Sequence, residues 1–357
     1  MRRLDDLLIN MEARDASDLY LKSGLPPMLR VAGELVPLGD SPLTDEMIRR
    51  FAGEVMSERH RREFEEHRRA DIAYASPALG RFRVNVYMQR GSPAAVIRRV
   101  KNQIPSFFGD LALPEGVAGL ALAPRGLVLV TGQTGSGKST TLAAMIEYRS
   151  RERPGHIVTI EDPIEFVHQD RRSLVSQREV GTDCESFGLA LRDALRQAPD
   201  VILIGEIRDE ESAVAAVHFA ETGHLVLSTL HSNNASQTLE RMLHFFPPER
   251  HTGVALQLSL NLNAIISLRL LVRKDGSGRV PAVEIMMSTP RVRELLRKRD
   301  LAGIQSAMQS PAGVQEGMQT FDYAIYQLVQ AGLVDVDLAM NAADSPNDLR
   351  MRLKGLR

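Results

Sequence analysis

The stretch 132-GQTGSGKS-139 has the residue types and the spacing of a loop that binds phosphate groups. Its glycines let backbone N–H groups turn toward phosphate oxygens, Lys138 supplies a cation for the terminal phosphates, and Ser139 offers a hydroxyl to a magnesium ion. An apolar strand pattern precedes the loop and a helical pattern follows it, a context that a chance glycine-rich turn would lack. We therefore predict a site for the phosphates of a nucleotide and for Mg²⁺, with the nucleotide-binding residues Gly132, Gln133, Thr134, Gly135, Ser136, Gly137, Lys138, Ser139 and Thr140.

Acidic and imidazole side chains stand at the ends of three other apolar runs. Glu161 follows one run, Glu206 follows the next, and His224 and His231 bracket a third. In an open α/β sheet ligands bind outside the carboxyl ends of the strands, so we expect these groups to meet at the phosphates. Hydrolysis needs such groups to position water and to offset charge. Each residue alone also has a plainer interpretation, which is a helix cap or surface acid for a glutamate and a structural hydrogen bond for a histidine.

The elements that must position these residues show strand–helix alternation after about residue 114. This alternation predicts a mostly parallel sheet with helices on both faces. The predicted strands of this sheet are 126–131, 157–161, 201–205 and 225–230. The pattern then predicts a long helix over about 250–266, a hairpin of 267–273 and 280–287, and helices over 290–298, 300–309, 319–331, 335–341 and within 344–357.

The first hundred residues predict a smaller α/β unit. Its predicted helices are 2–14 and a charged helix over 44–67, and its predicted strands are 18–22, 28–31, 70–75, 81–88 and 94–100. The segment 101–114 breaks the periodicity and carries two prolines, so it is a candidate linker.

The bulk composition excludes several classes of protein. With 44 basic and 45 acidic residues the net charge is −1, so no overall field favours nucleic acid or an anionic membrane. Only 5% of residues are aromatic, which argues against a nucleic-acid motor, and the single cysteine excludes a four-cysteine zinc module. No run of about 18 apolar residues occurs and acids interrupt the first segment, so we expect neither a membrane-spanning helix nor secretion. These features predict a cytoplasmic protein without direct membrane insertion.

Four motifs, in order, resemble those of a known family. The segments TGQTGSGKSTT, VTIEDPIEF, LIGEIRDEES and TGHLVLSTLHSNNA resemble the Walker A, Asp box, Walker B and His box of the type II/type IV secretion ATPases. Within that family they are similar to the PilT/PilU group of pilus-retraction ATPases. The first domain of that group is resembled by two further segments of this chain, ASDLYLKSGLPPMLRVAGEL and GRFRVN. The resemblance covers nearly the whole chain. It implies an N-terminal PAS-like α+β domain over 1–100, a linker over 101–114, a RecA-like P-loop ATPase core over 115–290 and a C-terminal helical region over 291–357.

The same resemblance implies a role for each candidate in the second part of the chain. Glu161 would be the catalytic acid that polarises the attacking water. Glu206 would be the Walker B acid, and together with Ser139 it would hold the magnesium ion, acting through a metal-bound water because it is one methylene longer than the usual Asp. His224 and His231 would be the His-box pair, one of which senses the terminal phosphate.

The resemblance also implies a role for arginines of the first domain. Arg83 and Arg98 resemble the arginines that reach the nucleotide when the two domains close, and Arg81 is a weaker candidate. An arginine contact of this kind fits the chemistry, since arginine fingers contribute about 10³–10⁵ in rate where they are measured. Taken as bare sequence, arginines on alternating strands are usually solvated.

The resemblance implies a hexameric, ATP-hydrolysing motor that supports pilus retraction and twitching motility. It would lie at the inner membrane through a polytopic pilus platform protein. The segments 291-RVRELLRK-298, 317-GMQTFDYAIYQL-328 and 343-ADSPNDLR-350 differ from those of PilT and favour a PilU-like role beside a PilT-like paralogue. Two alternatives remain open, a low-activity regulatory subunit that docks on such a paralogue and a VirB11-like secretion traffic ATPase.

Overall fold

The computed structural model describes residues 3–76, 78–100, 103–111 and 113–355. Its contacts divide the chain into two compact units, one of residues 1–102 with 165–167 and one of residues 103–164 with 168–357. Three positions of the predicted linker, residues 101, 102 and 112, lie outside the described residues. Across the described ranges, no helix combines the length and the apolar character that crossing a membrane requires.

The first unit is built on one antiparallel sheet. Its elements are α1 (Leu4–Ala13), β1 (Asp18–Lys22), β2 (Met28–Val31), β3 (Glu34–Pro37), α2 (Asp45–Val55), α3 (Glu58–His67), β4 (Arg69–Ser76), β5 (Gly80–Gln89) and β6 (Ser92–Arg99). The six strands follow the order β3-β2-β1-β6-β5-β4. Apolar residues spaced three or four apart on α1 pack into the core of this unit because that spacing places them on one face of the helix.

The prediction of one helix over 44–67 is wrong, because two helices occupy that segment. Helix α2 begins after Thr44, whose hydroxyl accepts a hydrogen bond from Met47 N at 3.3 Å. Its C-terminal neighbour Met56 has extended backbone, and the Ser57 hydroxyl then accepts from His60 N at 3.4 Å to start α3. Because the Ser57 side chain caps the N-terminus of α3, it favours a new helix at this point over a longer α2. The sequence pattern also did not predict the short strand β3.

The second unit contains the predicted mostly parallel sheet. Its elements are α4 (Glu115–Ala121), β7 (Gly126–Gly132), α5 (Lys138–Glu152), β8 (Gly155–Glu161), β9 (Ser173–Glu179), α6 (Phe187–Ala194), β10 (Val201–Ile204), α7 (Glu210–Glu221), β11 (Leu225–Leu230), α8 (Ala235–His244), α9 (His251–Asn261), β12 (Leu262–Val272), β13 (Arg279–Met287), α10 (Pro290–Arg297), α11 (Leu301–Gln309), α12 (Pro311–Gln315), α13 (Phe321–Gln330), α14 (Val336–Ala342) and α15 (Pro346–Leu353). The strand order is β13-β12-β7-β11-β10-β8-β9, and only the β12–β13 pair is antiparallel.

Helices cover both faces of this sheet. Along β7, Leu127 and Leu129 belong to one core with α7, α8 and α9, whereas Val128 and Val130 belong to a second core with α4 and α5. Successive side chains of a strand point to opposite faces, so β7 is buried on both. The cores hold the central strands side by side, and their carboxyl ends therefore form one fixed edge.

One predicted boundary in this unit is wrong. The helix predicted over about 250–266 ends at Asn261, and β12 begins at Leu262. β12 pairs in parallel with β7 and is buried on both faces over most of its length. A continuous apolar run fits a buried helix or a buried strand equally well, and only the pairing with β7 decides between them. The edge strand β9, which is polar along much of its length, was not predicted either.

The helical patterns after β13 are confirmed as α10, α11, α13, α14 and α15. The last three pack on the β12–β13 hairpin through a separate apolar cluster that includes Leu271, Val280, Phe321 and Leu349. The Arg269 guanidinium lies 3.9 Å from the centre of the Phe321 ring and is 2.6 Å from the Asp344 carboxylate. The C-terminal helices are therefore attached to the sheet by both apolar packing and an ion pair.

Candidate active site

The predicted phosphate loop joins β7 to α5. β7 ends at Gly132, and Gly137 caps α5 with a φ of +98°, a left-handed conformation that glycine adopts readily. Lys138 Nζ donates hydrogen bonds to the carbonyl oxygens of Gly132 at 2.9 Å and of Gln133 at 3.1 Å, and Lys138 is only 8% exposed. The loop therefore encloses a cation at the N-terminus of a helix.

Two buried hydroxyls at this loop have no hydrogen-bond partner among the described residues. They are Thr131 Oγ1 at the end of β7 and Ser136 Oγ within the loop. An unsatisfied buried hydroxyl costs about 1–3 kcal/mol, so such groups indicate a place where a polar ligand binds. Helix N-termini carry unpaired N–H groups as well, and Ser139 lies in the first turn of α5. This donor set fits the phosphates of a nucleotide.

Replacing Gly132 with alanine is expected to weaken nucleotide binding by about 5- to 150-fold. Gly132 has a φ of +144°, and a Cβ atom there would lie 2.4 Å from Ser136 Oγ and 2.6 Å from the carbonyl oxygen of Leu268. Because that carbonyl belongs to the buried strand β12, the loop must deform, at a cost of about 1–3 kcal/mol. Titration of the purified variant with a fluorescent ATP analogue measures the loss of affinity.

Gly116→Ala is the matched control, since a Cβ atom at that position would have nothing within 4 Å. Wild-type affinity in the Gly132 variant would contradict this account of the loop.

Glu161 ends β8 and is held by two neighbours. Its Oε1 accepts hydrogen bonds from Thr159 Oγ1 at 2.7 Å and from Gln177 Nε2 at 3.1 Å. Thr159 and Gln177 are cross-strand partners of β8 and β9, which places the two donors side by side. Sequence reasoning missed both of these donors. Thr159 could have been found from its position two residues before Glu161 on the same strand face, whereas Gln177 lies on a strand that was not predicted.

Glu206 and His231 form a pair at the ends of neighbouring strands. Glu206 Oε1 lies 3.3 Å from His231 Nε2, and both side chains are partly exposed. The ends of β10 and β11 are joined at this point, since Thr229 Oγ1 donates to the Gly205 carbonyl at 2.7 Å. Arg241 of α8 donates to the His231 carbonyl at 2.8 Å. The structure therefore brings together the acid and one of the two predicted histidines.

His224 lies elsewhere, contrary to expectation. It directly precedes β11, whose first residue Leu225 is paired with Gly126 at the start of β7. Its Nδ1 is 3.1 Å from the Phe219 carbonyl and 3.0 Å from Thr222 Oγ1. The six residues of β11 separate it from the carboxyl edge by about 20 Å at roughly 3.3 Å per residue. Within one chain His224 cannot meet the phosphate loop beside His231, because the two ends of a strand face opposite edges of the sheet.

The predicted arginines lie in the first unit. Arg83 on β5 and Arg98 on β6 are direct cross-strand partners, and Arg81 lies two residues before Arg83 on β5. Arg98 Nε donates to the buried Asp18 carboxylate at 2.7 Å, and this bond raises the pKa of the Arg98 guanidinium above its ordinary value. Arg98 therefore has a structural partner within its own unit. A contact of these arginines with the nucleotide stays a prediction.

Two clefts flank the phosphate loop in the second unit. One has a volume of about 590 Å³ and lies between the loop and the segment that carries His231. The other, of about 630 Å³, lies between the loop, β12 and residues 341–344. Volumes of this size accommodate a small-molecule ligand. The first cleft is lined by Gly132, Gln133, Thr134, His231, Ser232, Asn233, Gln237, Glu240, Arg241 and His244.

Comparison with known proteins gives consistent matches over most of the chain. Residues 82–343 match the family model of type II/IV secretion system proteins. The type IV pilus ATPase PilU of Pseudomonas aeruginosa is 46% identical over 98% of this chain and 91% of that protein. The type IV pilus retraction ATPase PilT of the same organism is 43% identical over 97% of this chain and 99% of that protein.

A solved structure agrees with these sequence matches. A crystal structure of the pilus retraction motor PilT with bound ADP superimposes with a TM-score of 0.92 at 41% identity, covering 98% of this chain and 99% of that one. The fold is therefore the N-terminal PAS-like α+β domain, RecA-like P-loop ATPase domain and C-terminal helical region that the sequence predicted. The chain belongs to the type II/IV secretion system protein family and, within it, to the PilT/PilU group of type IV pilus ATPases.

Proposed function

We propose that this protein is an ATP-hydrolysing motor of the type IV pilus machine, PilU-like, that supports pilus retraction and twitching motility. The observation that carries the proposal is the placement of the phosphate loop, Glu161 and the Glu206–His231 pair at the carboxyl edge of one sheet. The likeness to PilU and PilT over nearly the whole chain supports the pilus machine as the place of action.

The geometry suggests a division of work among the side chains. Lys138 and the N–H groups at the start of α5 would bind the phosphates, and Ser139 and Glu206 would hold a magnesium ion, which would offset phosphate charge when bound. Glu161, held by hydrogen bonds from Thr159 and Gln177, would orient the attacking water and accept its proton. The water oxygen would bond to the terminal phosphorus as the bond to the bridging oxygen breaks, so that ADP leaves. His231 would sense the terminal phosphate from its place beside Glu206.

The domain division and the assembly are part of the proposal. We propose functional boundaries at residues 1–100, 101–114, 115–290 and 291–357, and a hexameric ring as the working form. The partners would be a PilT-like paralogue and the pilus platform protein, which would hold the ring at the cytoplasmic side of the inner membrane. The pilus ATPases among the relatives support these partners over a VirB11-like role.

Phosphate release by the purified full chain tests the proposed activity. We expect ATP turnover that stops when EDTA removes divalent cations and returns when Mg²⁺ is restored, because Ser139 and Glu206 would act through the metal. The regulatory-subunit alternative predicts nucleotide binding with hardly any turnover. Absence of turnover both alone and together with a PilT-like paralogue would exclude the ATPase function, and electron microscopy with a non-hydrolysable ATP analogue would test the ring.

A further inference from the structure

Glu284 is a carboxylate buried inside the second unit, and the proposed hydrolysis does not use it. It lies on β13 and is 5% exposed. Its Oε1 accepts hydrogen bonds from Ala235 N at 2.7 Å and from Ser267 Oγ at 3.1 Å. Burying a carboxyl group is costly unless strong hydrogen bonds compensate. These contacts therefore connect β13, β12 and the first residue of α8 in one polar network.

The start of α8 is also where the chain leaves the candidate active site. Residues 231–233 line the cleft beside the phosphate loop, and Asn234 then caps the helix. Ser232 Oγ lies 2.7 Å from Thr238 Oγ1 on α8, and Arg241, one turn further, donates to the His231 carbonyl. With the hydrogen bond that Asn233 N donates to Gln237 Oε1 at 3.3 Å, three contacts from α8 hold the segment that presents His231.

We propose that Glu284 is a positioning residue for ATP hydrolysis, whose ionised carboxylate anchors the N-terminus of α8 and thereby places His231 beside Glu206. The inference rests on the proposed ATPase function. A negative charge at a helix N-terminus is favourable because the first N–H groups point toward it. The charged carboxylate accepts from Ala235 N–H more strongly than the neutral acid does.

The surroundings of Glu284 make this anchor sensitive to pH. Burial raises the pKa of Glu284 to about 7, against the hydrogen bonds from Ala235 and Ser267, which favour the ionised form. Of the charged groups that face it, Asp344 favours the neutral acid and Arg269 of β12 favours the carboxylate. The anchor should therefore strengthen as pH rises through about 7.

The test compares the wild-type chain with Glu284→Gln in steady-state ATPase assays from pH 6 to pH 8.5. Glutamine keeps an oxygen that can accept from Ala235 N–H but has no charge. We expect kcat to be about 3- to 10-fold lower in the variant at pH 8.5 and nearly equal at pH 6, with KM for ATP little changed. Exposed Glu249→Gln is the matched control and should follow the wild type.

Thermal unfolding separates positioning from a merely structural role. A folded pKa of about 7, raised from 4.5, means that the contribution of Glu284 to stability is present below pH 4.5 and is lost as pH rises through about 7. Glu284→Gln should therefore gain stability relative to the wild type as pH rises, while it loses activity. If Glu284 had only a structural role, the thermal stability and the ATPase activity of the variant would change in the same direction.

A second variant keeps the inference testable if Glu284→Gln fails to fold. Arg241 is exposed, and Arg241→Met removes its hydrogen bond to the His231 carbonyl together with the contact of its guanidinium with the Phe245 ring. It should lower kcat while retaining the pH midpoint near 7. Wild-type kcat in Arg241→Met, or an unchanged pH profile in a folded Glu284→Gln, overturns this inference alone. A wild-type protein without ATPase activity overturns the proposed function, and this inference with it.

Discussion

Replacing Lys138 with alanine is expected to abolish ATP hydrolysis, with kcat/KM reduced by at least about 100-fold. The ammonium group lies inside the phosphate loop and bonds to the carbonyls of Gly132 and Gln133. Alanine removes both the cation that would face the terminal phosphates and the donor that holds the loop. Phosphate release and binding of a fluorescent ATP analogue by the purified variant measure the two losses.

Two further variants show whether the loss of turnover in Lys138→Ala is caused by the loss of the positive charge within the loop. Lys138→Met keeps most of the length of the side chain without its charge and should be nearly as inactive as the alanine variant. Lys354→Ala removes an exposed lysine at the end of α15 and should leave turnover unchanged. A folded Lys138→Ala protein that retains more than a tenth of wild-type turnover would show that the loop does not bind the phosphates.

The local parts of the site could be predicted from the sequence because each is encoded in a few adjacent residues. The phosphate loop is a short motif between a strand and a helix, and Glu161 and Glu206 each follow an apolar run. The direction of a parallel strand then places both acids at the same edge as the loop. The same rule, applied to His224, would have placed it at the other edge, because it precedes its strand whereas His231 follows it.

The parts that could not be predicted depend on contacts between distant segments. Gln177 reaches Glu161 only because the polar segment Ser173–Glu179 pairs as an edge strand with β8. β12 is a strand and not the end of α9 because it pairs with β7. The role of Glu284 follows from a contact with Ala235, which is 49 residues away along the chain. Local pattern carries no information about which neighbour a segment finds.

Separate charge-neutral substitutions of the two site glutamates should have different consequences. We expect Glu161→Gln to lower kcat by about 10²–10⁴, the range for losing a general base, with ATP binding nearly intact. Glutamine at 161 can still accept hydrogen bonds from Thr159 and Gln177 through its oxygen, so the geometry is retained and only the charge is lost. Glu206→Gln should instead raise the Mg²⁺ concentration needed for half-maximal turnover, since it would weaken the hold on metal-bound water. Two measurements compare the variants. Phosphate release over a Mg²⁺ titration gives turnover and the Mg²⁺ requirement, and titration with an ATP analogue gives nucleotide affinity.

A variant of one hydrogen-bond donor to Glu161 is the matched control for the comparison of Glu161→Gln with Glu206→Gln. Thr159→Val preserves the volume of the side chain and removes one hydrogen bond to Glu161 Oε1, which is worth about 1 kcal/mol or roughly 5-fold in rate. Its Mg²⁺ requirement should stay at the wild-type value, as in Glu161→Gln, because neither change touches Glu206. If Glu161→Gln shifts the Mg²⁺ requirement as much as Glu206→Gln does, the two acids share one task. The 3.3 Å pair of Glu206 and His231 would then belong to the same water network as Glu161.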